Sequence, residues 1–201
     1  MDALEAIGSA MTMRWLTAEP VPDELIGRLV WAGTRASNPE NSQLWDFIVV
    51  KSPEQRARLH ETIVPDLSSL DAVRARMAGA ADPVKRRMAD GGHHLLATLR
   101  EAPVLIFVCG SSLVPGDPRE DRYLYAAIYG AAQNMLVAGR ALGLGVAPTG
   151  IHNLNSRGVR QVLGVPEHKV IGVTMAVGWP ARPFRPVKRK PITEVLHFDA
   201  W

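Results

Sequence analysis

The chain has 201 residues, 47% of them apolar and 21% charged, which predicts one domain (1–201) with a sizeable core. No apolar run reaches the roughly 18 residues that a membrane-spanning helix requires, and the N-terminus lacks the basic segment of a secretory signal. The single cysteine, Cys109, cannot form an internal disulfide and gives no sign of an oxidising compartment. Together these features lead us to expect a cytoplasmic protein that is not associated with a membrane.

The N-terminal region predicts two helices, a loop and a strand. Apolar residues at helical spacing predict a first helix over 2–13. Pro22, followed by two acids, predicts the start of a second helix that ends near Ala36. The turn-rich segment 37–42 then leads into an apolar strand at 47–50.

The central region predicts a helix from Ser52 to Ile63, with Ser52 as its cap. Segment 65–101 predicts several short helical pieces, which we expect to be interrupted at Gly79, Pro83 and Gly91–Gly92. The unbroken apolar run at 103–108 predicts a buried strand.

The C-terminal half begins with a helix at 121–142, whose many small residues indicate a position at the centre of the fold or of a dimer. A short strand at 146–147, a helix at 156–163 capped by Asn155 and a strand at 170–177 follow. The order is that of an α+β fold. The extended remainder, in which 192–196 could form a strand, has enough apolar residues that we expect it to wrap a partner subunit.

Sequence signatures of nucleophilic, phosphate-binding and zinc-dependent catalysis are absent. His93 and His94 would point about 100° apart on a helix and make a poor metal pair. Cys109 ends an apolar strand without a basic neighbour in sequence, as a core thiol does. We therefore predict no metal site and no catalytic side chain, and a cofactor that supplies the chemistry.

Three segments offer groups that suit a cofactor. Loop 36–45 carries amides and hydroxyls for a polar heterocycle, although a capped turn anchored by Trp45 is equally compatible. Thr12 and Arg14 suit a phosphate or a polar ring edge. The basic cluster around Arg189 suits a phosphate, and without a nucleic-acid-binding motif we do not expect DNA or RNA as its partner.

Several sequence motifs, which follow one another in the same order along nearly the whole chain, resemble those of the nitroreductase family. The family's R-R-S-x-R stretch followed by P-V-P is similar to 10–14 followed by 20–22, and its A-P-S-x-x-N-x-Q-P-W-x-F loop is similar to 36–47. Further similarities are A-A-Q-N through L-G-L-G at 131–145, P-x-G at 148–150, L-G-x-P at 163–166, G-x-P at 178–180 and R-x-P-I at 189–192.

The resemblance implies an α/β/α sandwich with a small antiparallel or mixed sheet, in a homodimer that exchanges its tail, about 180–201. It also implies FMN at the dimer interface, NADH or NADPH as hydride donor, and a small acceptor such as a nitroaromatic or a quinone. The cofactor-binding residues that it implies are Met11, Thr12, Arg14, Ser37, Asn38, Pro39, Asn41, Gln43, Pro148, Thr149, Gly150, Ile151 and Arg189.

The same resemblance implies a role for each group. Arg14 would lie near the pyrimidine edge of the flavin, loop 37–39 would come from the partner chain, and the backbone of 149–151 would face the reactive N5. Arg189 would bind the phosphate, since Ala10 and Met11 stand where the family has basic residues. Segments 65–100 and 111–123 would shape the substrate pocket.

Two alternatives keep the fold and the FMN. One has different chemistry, such as desaturation, dehalogenation or flavin fragmentation. The other is a flavin-binding or sensing protein with low turnover, which the loss of basic residues at Ala10 and Met11 favours.

Overall fold

The computed structural model describes all residues except 65, 67, 69, 70, 73, 76–81, 114, 115 and 117–119. Its described strands form one antiparallel sheet in the order β1-β2-β4-β3. The strands are β1 (Trp45–Val50), β2 (Val104–Ser111), β3 (Gly145–Thr149) and β4 (Lys169–Gly178).

Helices cover both faces of this sheet. The described α-helices are α1 (Ala3–Ser9), α2 (Asp23–Gly33), α3 (Pro53–Ile63), α4 (Pro83–Ala97), α5 (Glu120–Ala141) and α6 (Ser156–Leu163). Short 3-10 turns lie at Pro39–Asn41, Leu99–Glu101, Ile151–Asn155 and Ile192–Glu194.

The central strand β2 explains the layered architecture. Val104, Ile106 and Val108 pack into a core shared with α2 and α5. The intervening Leu105 and Phe107 face a second core, shared with α3, α4 and α6. Because successive side chains of a strand point to opposite faces, a continuous apolar run is what a strand covered on both sides requires. The predicted α+β sandwich is confirmed, with an antiparallel sheet.

Helix α5 lies against the sheet, as its small residues predicted. A Cβ at Gly139 would come within 2.4 Å of Val146 Cγ2, so only glycine permits this approach of α5 to β3. Ala131 and Ala132 are buried in the same contact layer. The central position of the helix is thereby confirmed.

The first helix ends at Ser9, so the predicted extension to Met13 is wrong. Thr12 forms a parallel bridge with Val146, and the Met13 amide donates a hydrogen bond to the Val146 carbonyl over 3.0 Å. Residues that add to the edge of β3 in this way cannot also be helical.

The predicted interruption at Gly91–Gly92 is also wrong, because α4 continues through both glycines. Gly91 is buried, and a Cβ there would lie 3.1 Å from Arg14 Cδ and 3.2 Å from Trp15. The glycine provides space for a neighbouring segment and does not end the helix. The predicted break at Gly79 lies outside the described residues.

The C-terminal tail packs on its own protomer only at its beginning. The Ala181 amide donates to the Trp15 carbonyl over 2.9 Å, and the Arg185 amide lies 3.3 Å from Met11 Sδ. The possible strand at 192–196 is not formed; Pro191 precedes a 3-10 turn there, and no described strand pairs with it. Within the described part of the chain, no helix is long and apolar enough to cross a membrane.

Candidate functional site

A basic cleft lies between the segment after α1, helix α4 and the start of the tail. Its volume is about 370 Å³. The lining includes the predicted Met11, Thr12 and Arg14, together with the unpredicted Arg87 and Arg182. Asp90 lines it as well, but its carboxylate is bound to Arg74 over 3.0 Å.

Arg14 is the group in this cleft with the clearest need of a ligand. The side chain is half-buried against Gly91, and burial lowers the pKa of its guanidinium. Among the described residues Arg14 has no hydrogen bond and no ion pair. A partly desolvated cation without a partner costs free energy, so an anion or a strong hydrogen-bond acceptor beside it is favoured.

Trp15 joins the three walls of the cleft. The Arg182 guanidinium lies 3.8 Å from the centre of the Trp15 ring, and the His94 ring stacks on Trp15 with centroids 5.2 Å apart. Burial, and secondarily the charge of Arg182, lowers the pKa of His94. The stack therefore holds the tail, the N-terminal segment and α4 together around a histidine that favours its neutral form.

A second cleft, of about 320 Å³, lies at the end of β3. Pro148, Thr149 and Gly150 line it together with Gln133 of α5. The amides of Gly150 and Ile151 donate no hydrogen bond to any described residue. Gly150 lines the cleft and Ile151 follows it, so these amides could donate to a ligand that presents a lone pair beside the cleft. Since the N-terminal segment is bridged to Val146, β3 connects this cleft with the basic one.

The predicted loop 37–43 lines neither of these two clefts within one protomer. A hydrogen bond within the loop stabilises its conformation, because Asn38 Oδ1 accepts from the Gln43 amide over 2.8 Å. Glu40, Asn41 and Gln43 have φ of 54°, 50° and 51°, in the left-handed region that non-glycine residues rarely adopt. Strain of this kind clusters at functional sites, which makes the loop a candidate contact for another chain or a ligand.

Arg189, the last predicted residue, is also separate from both clefts in one protomer. It is exposed, and its guanidinium donates to the Lys188 carbonyl over 3.1 Å.

The residues that sequence reasoning missed are Trp15, Arg87, Gly91, His94 and Arg182. Arg182 lay within the basic cluster, so its charge was a signal, whereas the role of Gly91 depends on a contact that the sequence alone does not reveal.

The model of the Nitroreductase family matches residues 7–179, and the chain belongs to this family. A protein of the archaeon Methanothermobacter thermautotrophicus named "Putative NADH dehydrogenase/NAD(P)H nitroreductase" is 30% identical over 186 residues, which are 90% of this chain and 78% of that protein. Iodotyrosine deiodinase 1 of Rattus norvegicus is 26% identical over 96% of this chain and 67% of its own.

Solved structures agree with the fold. A protein of Bacteroides thetaiotaomicron named as an NADH dehydrogenase/NAD(P)H nitroreductase of the same kind superposes with a TM-score of 0.70 at 25% identity, over 99% of this chain and 98% of that one. An iodotyrosine deiodinase bound to FMN and 3-iodo-L-tyrosine has a TM-score of 0.77 at 18% identity, with complete coverage of both chains.

Proposed function

We propose that this protein is an FMN-dependent oxidoreductase that takes hydride from NADH or NADPH and transfers it to a small organic acceptor. The observation that carries the proposal is the half-buried Arg14, which has no partner among the described residues, in a cleft with further arginines. Membership of the nitroreductase family and the FMN in a structural neighbour support the choice of cofactor.

The donors on this chain fit FMN at both of its polar ends. Arg14 would bind the oxygen-bearing edge of the ring, and Arg185 lines the same cleft. Arg189, which is outside both clefts of one protomer, would bind the phosphate in the dimer. The free amides of Gly150 and Ile151 would donate toward the ring nitrogen at the reactive position. Bound FMN would supply hydride transfer at N5.

The chain's own contribution would be binding, orientation and charge. An arginine beside the ring stabilises negative charge that develops there, and this effect is stronger in a partly desolvated cleft. Positioned backbone donors keep their direction without reorganisation during the reaction. No side-chain acid is needed for this scheme.

The proposal includes a homodimer in which each chain completes the other's site. Two features support it: the internally held loop 37–43, which lines neither cleft of its own protomer, and the apolar end of the tail. Ile192, Phe198 and Trp201 are 69%, 80% and fully exposed, and this much exposed apolar surface in one short segment is unusual for a monomer. A partner subunit would bury them.

The test uses the purified full-length protein. We expect flavin absorption, or its appearance on reconstitution with FMN, followed by bleaching when NADH or NADPH is added without oxygen. A colourless protein that cannot be reconstituted would disprove FMN binding. A coloured protein that neither nicotinamide bleaches would favour the flavin-binding or sensing alternative.

A second candidate is reductive dehalogenation in the same site, which the similarity to iodotyrosine deiodinase over nearly the whole chain favours. Reduced enzyme would be mixed anaerobically with an iodophenol or with a nitroaromatic compound. Stoichiometric release of iodide with no reoxidation by the nitroaromatic would favour dehalogenation, and the reverse would favour nitroreduction.

A further inference from the structure

His152 lies directly under the turn that carries the free amides, and it is almost completely buried, with 2% of its surface exposed. Its Nδ1 lies 2.9 Å from the Thr174 hydroxyl oxygen. Thr174 belongs to β4, where it is the residue opposite Thr149 of β3. One side chain therefore ties the residues after β3 to the neighbouring strand.

The surroundings of the ring favour one of its two tautomers. Burial lowers the pKa of His152, so the ring is neutral and has one donor and one acceptor. The Ile171 backbone acts in the opposite direction on this pKa, as an acceptor beside a ring N–H does. This favours hydrogen on Nε2 and leaves Nδ1 to accept from the Thr174 hydroxyl.

The hydrogen bond of His152 adds to two other contacts that hold the turn. The Gly150 carbonyl accepts a hydrogen bond from the Asn153 amide over 3.0 Å, and the Ile151 side chain is buried in the core. The Gly150 and Ile151 amides have no described partner. The hydrogen bond between His152 and Thr174 therefore provides a directional link between this turn and β4.

We propose that His152 is a positioning residue that, through its hydrogen bond with Thr174, aims the Gly150 and Ile151 amides at the redox-active edge of the bound flavin. This inference rests on the proposed function, because it assigns the amides to FMN. A donor aimed at a ring nitrogen interacts differently with the oxidised and the reduced ring. Misdirection of the amides therefore changes the ratio of the two dissociation constants and, with it, the flavin potential.

The test compares two variants with a matched control. H152F keeps a ring without the hydrogen bond to Thr174, and T174V removes only the hydroxyl. H60F is the control, since His60 is also a buried histidine bound to a backbone carbonyl, with Nε2 3.0 Å from the Leu96 oxygen. His60 lies on α3 and lines neither cleft.

We expect H152F and T174V to change the ratio of the Kd values for oxidised and reduced FMN by about three- to tenfold, the range for the loss of one neutral hydrogen bond. H60F should lower the Tm and leave the ratio unchanged. NMR of the ¹⁵N-labelled wild-type apoprotein should show the Nε2–H tautomer of His152. If H152F does not fold, T174V, which keeps the histidine, carries the test.

The outcomes separate the two proposals. If the wild-type protein does not bind FMN, the proposed function fails and this role fails with it. If it binds FMN and the foldable variants keep the wild-type ratio, only the role of His152 is overturned. An Nδ1–H tautomer in the apoprotein would also overturn the arrangement, independently of any flavin.

Discussion

Gly91 lies against the side chain of Arg14, so that a Cβ at position 91 would be 3.1 Å from Arg14 Cδ and 3.4 Å from its Nη1. The neighbouring Gly92 has open space, with nothing within 4 Å of a Cβ. Two adjacent glycines of one helix thus differ in their contacts with Trp15 and with Arg14, the arginine that we assign to the flavin.

This pair gives a matched experiment. G92A should stabilise the protein by about 1 kcal/mol, since alanine is the better helix former, and leave FMN binding unchanged. G91A should displace Arg14 and weaken FMN binding several-fold. Urea denaturation and fluorescence titration with FMN measure both effects. Equal FMN affinity in the two variants would show that the position of Arg14 is unimportant for the flavin.

Comparing the affinity for FMN with that for riboflavin distinguishes the roles that we assign to Arg14 and Arg189. R189A should weaken FMN binding by about tenfold or more, as expected for a lost charge-assisted hydrogen bond, and leave riboflavin binding unchanged because riboflavin has no phosphate. R14A should weaken both ligands equally, since it is assigned to the ring. R28A, on the exposed face of α2, is the control. An equal loss of both ligands in R189A would contradict the phosphate assignment.

Removal of residues 188–201 tests the tail. We expect the shortened protein to run as a monomer by light scattering and to retain less than about a tenth of its FMN, because the exposed apolar side chains of the tail are the proposed dimer contact. The triple substitution of Ile192, Phe198 and Trp201 by serine should have the same effect if side chains carry the contact. A truncated protein that remains a dimer would contradict it.

Cys109 should be unreactive in the folded protein. Burial raises the pKa of its thiol to about 11, with a further contribution from Asp46, so that at pH 8 only about one thiol in a thousand is ionised. Labelling with a thiol reagent should be slow in buffer and fast in denaturant. Rapid labelling of the native protein would contradict the burial of this thiol.

Stability should decrease in mild acid because of His94. Burial, followed by the charge of Arg182, holds its pKa in the folded protein below the ordinary value of 6.5. The unfolded chain therefore binds more protons below about pH 6.5, and the free energy of unfolding falls as the pH is lowered from 7.5 to 5. H94Q should reduce this fall, whereas H197Q, in the exposed tail, should not. An identical pH dependence in H94Q would contradict the assignment.

Local sequence signals were sufficient for many elements. The apolar run of β2, the Ser52 cap of α3 and the Asn155 cap of α6 have causes within a few residues, and the structure confirms them. The Asn155 side chain accepts from the Gly158 amide, as the cap requires. The arrangement of these elements in an α/β/α sandwich was predicted from the family resemblance.

The wrong predictions concern the end of α1 and the continuity of α4, and both depend on contacts between residues far apart in sequence. The end of α1 depends on pairing with Val146, and the continuity of α4 depends on Arg14 packing against Gly91. Both partners are distant in sequence. The same limit applies to the site, where the stacking of Arg182 on Trp15 joins the two ends of the chain and no local pattern indicates it.

The attachment of residues 12 and 13 to β3 has an evolutionary consequence. Main-chain contacts with Val146 fix this segment, so its path does not depend on the side chains at positions 10 and 11. Ala10 is buried, and Met11 contacts the tail. The side chains at positions 10 and 11 can therefore change in evolution while Thr12 and Arg14 stay in place. Arg182 and Arg185 of the tail line the same cleft, so its positive charge does not require a basic residue at position 10 or 11.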